Sequence, residues 1–124
     1  MPVRLAALVC AAALVAVGAP AARAARCTPH NLVATAAVKA ALRSAHHRVT
    51  PSDNGPRAGS VYYGKCGRTR WAMASFRHRN GGYDDQPESF KLVRGGRRWR
   101  DLGDDGACQA IPSQLRALWG TFCP

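Results

Sequence analysis

The chain has 124 residues, with 18 lysines and arginines against 7 aspartates and glutamates, and a formal net charge of +11. This length predicts one small domain after any leader is removed. The charge favours anionic partners, namely nucleic acid, anionic lipid or an acidic wall polymer. The alternative is compositional bias, because alanine, glycine and arginine dominate the whole chain.

The N-terminus has the pattern of a secretory signal peptide. A charged start precedes an apolar run at residues 5–17, and an A-x-A site follows at residues 22–24. A membrane anchor is the alternative, but the run is shorter than the ~20 residues that span a bilayer. We therefore expect cleavage before Ala25, with a similar site three residues earlier as the second option. Residues 1–24 are the predicted signal peptide, and residues 25–124 are one secreted, extracellular domain with a net charge of about +9.

Four cysteines remain in the predicted mature domain: Cys27, Cys66, Cys108 and Cys123. An even number in a small exported domain predicts two disulfides. A zinc site is the alternative, but no pair has the C-x₂-C spacing. Of the three possible pairings we favour Cys27–Cys66 with Cys108–Cys123, because the second pair closes a short loop around a predicted helix. We expect no metal and no cofactor.

The first predicted element is an N-terminal helix over residues 28–47, with Thr28 as its N-cap. Apolar residues recur along one side of it at helical spacing: Ala34, Val38, Ala41, Leu42 and Ala45. The helix should end ahead of Pro51, because the residue before a proline avoids the α region. Residues 50–59 contain two prolines and two glycines, which predicts a loop.

A four-stranded antiparallel meander follows the loop. Its predicted strands are residues 61–64, 71–76, 89–94 and 97–102. The first hairpin turns at residues 64–67, and the second turns at Gly95-Gly96, a strong hairpin signal. A short helix at residues 112–119 ends the chain. Two helices beside an antiparallel sheet predict an α+β domain with the helices on one face.

Five short motifs, taken together, show a resemblance. They are YYGKCG at residues 62–67, WAMASF at 71–76, DDQPESF at 84–90, WRDLGD at 99–104 and WGTFC at 119–123. This pattern resembles small secreted proteins of Streptomyces and related actinobacteria. It covers the whole predicted sheet and the last helix. The resemblance implies export and a shared fold, and it assigns no catalytic residue.

One loop gathers carboxylates that could serve in catalysis. Paired carboxylates act as acid and base in glycoside hydrolysis. A small secreted hydrolase using His78 with Asp84, Asp85 or Glu88 is therefore the alternative function. Adjacent acidic residues in a loop are more often solvated, and the chain contains no G-x-S-x-G or H-E-x-x-H motif. We therefore expect no enzymatic activity.

Arginines alternate with aromatic residues in the predicted sheet. The candidate anion-binding residues are Arg68, Arg70, Arg98 and Arg100. They would form one patch on the outer side of the sheet if the second and fourth predicted strands are close. Trp71 and Trp99 are expected in the core, because a small domain needs its large apolar groups inside. The sequence thus predicts a secreted, disulfide-stabilised, non-enzymatic binding module. Its candidate partners are an anionic cell-envelope polymer, a membrane surface or an extracellular protein, with nucleic acid less favoured.

Overall fold

The computed structural model describes residues 26–50, 54–77, 82, 86–93, 97–104, 106–121 and 123. The predicted signal peptide lies outside the described residues, as do His78, Asp84 and Asp85 of the candidate catalytic set. The predicted Gly95-Gly96 turn lies outside them too. Within the described ranges, no helix has both the length and the apolar character needed to cross a membrane.

The described residues form an α+β structure with one antiparallel sheet. Its elements are β1 (Pro29–Asn31), α1 (Ala36–Val49), β2 (Tyr62–Cys66), β3 (Thr69–Ala74), β4 (Glu88–Leu92), β5 (Trp99–Gly103), a 3₁₀ turn (Ala107–Ala110) and α2 (Ser113–Trp119). The strands are ordered β1-β2-β3-β4-β5, so each pairs with its neighbour in sequence. The predicted α+β class and the antiparallel order of the sheet are confirmed. The prediction of only four strands is wrong, because β1 adds a fifth.

Strand β1 displaces the start of the first helix. Thr35, not Thr28, is the N-cap, and its Oγ1 accepts a hydrogen bond of 3.3 Å from the backbone N–H three residues on. Pro29 lies opposite Cys66 in the ladder between β1 and β2. A proline is tolerated as the first residue of an edge strand, where it need not donate to the ladder. The predicted helix start is therefore wrong, whereas its predicted end is confirmed at Val49.

The first hairpin turns later than predicted, because Gly64 lies inside β2. The turn instead contains Gly67, whose φ of 62° is the left-handed conformation that glycine adopts easily. A Cβ on Gly64 would lie 2.7 Å from Leu115 Cδ1 and 2.8 Å from the carbonyl oxygen of His30. Gly64 therefore marks a close approach of α2 and β1 to the middle of the strand.

Both faces of the sheet are covered, each by one helix. On the α1 face the buried apolar residues are Leu42, Ala45, Tyr63, Ala72, Ala74, Phe76, Phe90 and Trp99. On the α2 face they are Cys66, Trp71, Met73, Cys108, Ile111, Leu115 and Trp119. The burial predicted for Trp71 and Trp99 is confirmed. The expectation that both helices share one face is wrong. A strand with one solvated face alternates buried and exposed residues, but the last four residues of β3 are all buried.

Two disulfides stabilise the ends of the fold. Cys27–Cys66 connects the segment before β1 to the end of β2, and Cys108–Cys123 spans α2. The pairing favoured from the sequence is the one in the structure. Each bridge restrains a short element, a three-residue strand and a seven-residue helix. Two disulfides are compatible with an extracellular protein.

Candidate functional site

The sheet register separates the four arginines predicted to form one patch. Arg70 of β3 aligns with Trp99 of β5 across the intervening strand β4. Directly opposed residues share a face and consecutive residues alternate, so Arg70 lies on the α1 face and Arg100 on the α2 face. Arg68 lies in the exposed turn between β2 and β3. Arg98 and Arg100 remain together at β5, an edge of the sheet.

Arg70 has a partner within the fold. Its Nη1 donates a 2.8 Å hydrogen bond to Tyr63 Oη, and the Tyr63 ring packs edge-on against Trp99 with a centroid separation of 5.7 Å. A buried tyrosine generally needs such a partner for its hydroxyl group. The position of Arg70 is therefore explained by packing on the α1 face.

A pocket of about 380 Å³ lies between the second half of α1 and strand β5, and we refer to it as the edge site. Its apolar lining residues are Ala45, Val49, Val93 and Trp99, and its charged lining residues are Arg48, Arg98, Arg100 and Asp101. Val49 is 61% exposed and Val93 is 47% exposed. The edge site therefore combines accessible apolar surface with three arginine residues, Arg48 from the end of α1 and Arg98 and Arg100 from the edge strand, a combination suited to a partner that is both apolar and anionic.

Arg48 also lines the edge site, although the sequence did not point to it. It lies in the last turn of α1. Its Nη2 donates a 2.7 Å hydrogen bond to the backbone oxygen of Trp99. The Trp99 carbonyl therefore points away from β4 and out of the sheet edge. The available sequence signal was a basic residue at a helix C-terminus, where a cation interacts favourably with the helix dipole.

A buried polar network lies behind the edge site. His46 Nδ1 and Asp101 Oδ2 are 2.9 Å apart, and their side chains are 6% and 0% exposed. The His46 ring stacks on Phe76 at 4.0 Å between centroids. Asp101 Oδ1 accepts a 2.8 Å hydrogen bond from the Gly103 N–H, and the Glu88 carboxyl group also bonds to the Asp101 side chain. The network connects α1, β4 and β5.

The network determines the charge of Asp101. Burial by itself would raise the pKa of this carboxyl group, but hydrogen bonds from His46, Glu88 and the Gly103 N–H, with the positive charge of His46, lower the pKa below its usual value. Asp101 is therefore ionised at neutral pH. The two oxygens of the Asp101 carboxylate have partners within the protein, His46 and the Gly103 N–H.

The same three residues are the candidate metal ligands in the described part of the chain. One ligand atom from each of His46, Glu88 and Asp101 lies within 4.8 Å of the others. Histidine and carboxylates are common zinc ligands. Here, however, His46 Nδ1 and both Asp101 oxygens already have partners within the protein. We therefore interpret the cluster as a structural connection between the helix and the sheet.

Glu88 is the described member of the predicted catalytic set, and its environment differs from the expected one. It is the first residue of β4 and is 8% exposed, whereas the sequence suggested a solvated loop. Its neighbour Ser89 carries a hydroxyl group but is fully buried. Alternation along β4 directs Ser89 to the α2 face, away from His46. Glu88, His46 and Ser89 therefore do not form a hydrolytic triad.

Comparison with protein-family models, with curated proteins and with solved structures finds no match to this chain. The resemblance to small secreted actinobacterial proteins thus remains a prediction from the five motifs. In the WAMASF motif, residues 71–74 and Phe76 are buried. That motif therefore reports how the sheet packs and identifies no binding site.

Proposed function

We propose that this protein is a secreted, non-enzymatic binding module that holds an anionic partner outside the cell at the edge site. The observation that supports the proposal is that Arg48, Arg98 and Arg100 all line one pocket with apolar walls at the edge of the sheet. Guanidinium groups suit this purpose, because they stay charged and can bind carboxylate or phosphate oxygens in pairs. The net charge of +11 adds long-range attraction for an anion approaching from solution.

An anionic cell-envelope polymer or an acidic extracellular protein suits this site better than nucleic acid does. Proteins that bind single strands stack bases on accessible aromatic side chains. Trp71 and Trp99, the tryptophans of the arginine-rich strands, are 8% and 5% exposed and belong to the two cores. The chain therefore offers charge at β5 without a stacking surface there.

The alternative function, a small hydrolase, receives less support from the geometry. Glu88 is buried and bonded to Asp101, so it is poorly placed to contact a substrate. His46 is held between Asp101 and the Phe76 ring. A general base must reach the proton that it removes.

Arg98→Gln with Arg100→Gln tests the proposal, with heparin as the polyanion probe. Each lost cation–anion contact reduces the number of counterions released on binding. The double variant should therefore bind several-fold more weakly, and the magnitude of its slope of log affinity against log salt should fall by about two. Isothermal titration over a series of salt concentrations measures both quantities. Circular dichroism and thermal melting should show an unchanged fold, because both side chains are exposed.

Arg26→Gln with Arg68→Gln is the matched control, since it removes the same charge from exposed residues outside the edge site. We expect this control to retain most of the affinity. Equal losses in the two double variants would show that heparin responds to net charge alone, and the edge site would then have no special role.

A further inference from the structure

We infer that the partner at the edge site is an extended acidic segment of another protein, which adds a strand to β5 and places an apolar side chain in the pocket. This inference rests on the proposed function and specifies the partner's chemistry. In strand addition, main-chain hydrogen bonds to a sheet edge supply affinity, and pockets for alternate side chains supply specificity. The edge site has the parts that such binding requires.

The backbone of β5 is oriented to accept a strand. Within the described part of the chain, β5 pairs with β4 on one side and with no strand on the other. The Trp99 carbonyl faces this open side, because it accepts the hydrogen bond from Arg48. In antiparallel pairing the N–H and C=O of one residue point in the same direction, and the direction repeats every second residue. The backbone N–H and C=O groups of Trp99 and Asp101 therefore point towards the open side of β5.

The opposite edge of the sheet, strand β1, has features that prevent the addition of a further strand. Strand β1 has three residues, begins with Pro29 and is fixed by the Cys27–Cys66 bridge. Helix α2 lies against it, with Trp119 Nε1 donating a 3.2 Å hydrogen bond to Asn31 Oδ1. Proline, shortness and a covering element are the features that protect an edge from pairing. β5 has five residues and no proline.

Cations along an edge can also serve only as protection against aggregation. The apolar pocket argues for more than protection here. Protection requires charge alone, yet Val49 and Val93 are accessible beside the arginines and, with Ala45 and Trp99, form an apolar hollow. Its volume of about 380 Å³ suits one large or two small side chains from alternate positions of a strand.

The positive charge of the arginines that line the edge site favours an acidic strand as the partner. A second copy of this chain is a poor occupant, because pairing two β5 edges would bring Arg98 and Arg100 of both copies together, and like charges on adjacent strands destabilise a sheet. A strand with carboxylates on both sides of an apolar residue would pair with these arginines. The Arg48 guanidinium could then turn to a carboxylate while a strand N–H replaces it at the Trp99 carbonyl, so each polar group keeps a partner.

The test measures, by fluorescence anisotropy, the affinity of the mature protein for a labelled and capped five-residue peptide of alternating glutamate and valine. A second peptide has the same side chains but carries N-methyl groups at alternate amides, which removes the donors that strand pairing needs. We expect the unmethylated peptide to bind about ten-fold more tightly, equivalent to one or two main-chain hydrogen bonds. It should also slow hydrogen exchange at the Trp99 and Asp101 amides.

Protein variants test the pocket separately. Val49→Ser with Val93→Ser should weaken peptide binding by about ten-fold through lost apolar contact and leave heparin binding unchanged. The matched control is Val33→Ser with Leu118→Ser, which changes two exposed apolar residues outside the edge site and should alter neither affinity.

The outcomes separate this inference from the function on which it rests. Equal affinity for the two peptides, with heparin binding that still depends on Arg98 and Arg100, would overturn strand addition and leave an anionic polymer as the partner. Peptide and heparin binding that both ignore the two arginines would overturn the inference and the proposed function together. The peptide comparison uses the unaltered protein, so its result does not depend on whether a variant folds.

Discussion

Gly64→Ala tests how closely α2 and β1 approach the centre of the sheet. The new methyl group would lie 2.7 Å from Leu115 Cδ1, 2.8 Å from the His30 carbonyl oxygen and 3.1 Å from Trp119 Cζ2. Leu115 is fully buried, and the His30 oxygen belongs to a backbone restrained by a disulfide, so neither can move easily. Overpacking of this kind costs about 1–3 kcal/mol. Alanine regains roughly 0.5–1 kcal/mol because it loses less backbone entropy than glycine in a strand.

Because one of the contacts is with backbone, the cost should lie in the upper part of its range, for a net loss of about 2 kcal/mol. For a domain of this size, that loss lowers the melting temperature by about 8–16 °C. Differential scanning calorimetry measures it. Gly55→Ala is the matched control, since the nearest heavy atom to its new methyl group would be Arg43 Cδ at 3.9 Å. If the two variants melt together, α2 packs farther from β2 than the structure has it.

Two further predictions concern the buried network and the disulfides. Asp101→Asn should cost roughly 1.5–3 kcal/mol at pH 7 through weaker charge-assisted hydrogen bonds. Because the folded-state pKa of Asp101 is lowered, the stability from its ionised form is present above the ordinary carboxyl pKa of about 3.9 and is lost as the pH falls through the lower folded value. The difference in free energy of unfolding between wild type and variant, measured with urea, should therefore become smaller in acid. A difference that is independent of pH would contradict this origin. Replacing Cys108 and Cys123 by serine should cost on the order of 3 kcal/mol, because the bridge spans 15 residues. Mass spectrometry of the unreduced wild type should show four hydrogens fewer than the reduced protein, and any alkylatable cysteine would contradict two complete bridges.

The sequence predicted those elements whose pattern is local. The end of α1 before a proline, the position of α2 and the alternating strands of the meander all follow from short-range chemistry. Strand β1 escaped prediction because three residues are too few to show a period of two. Its residues also precede an alanine-rich segment whose helix propensity extended the predicted helix backwards. Gly64 suggested a turn, since a glycine required for close packing and one required for positive φ look identical in sequence.

The candidate site depends on contacts that no local pattern reveals. His46 and Asp101 are 55 positions apart, and their pairing arises only when α1 packs on β5. Glu88 appeared to be a loop carboxylate because burial of its side chain depends on that same packing. Arg98 and Arg100 lie close together because they are two positions apart where β5 begins. Whether Arg70 could join them depended on register, and strands buried on both faces show little of the hydrophobic alternation from which register is inferred.

The burial of both sheet faces also constrains where a domain of this size can bind a partner. With one helix on each face, the edges are where the sheet backbone remains open to a partner, and at β1 a disulfide, a proline and α2 already restrict access. At β5, two contacts hold α1 against the strand, and they differ in exposure. The His46–Asp101 pair is buried and holds α1 against β5. Arg48 is exposed, and a ligand N–H can replace its hydrogen bond to the Trp99 carbonyl. A ligand can therefore replace the outer contact without disturbing the inner one, so binding at this edge need not reduce the stability of the domain.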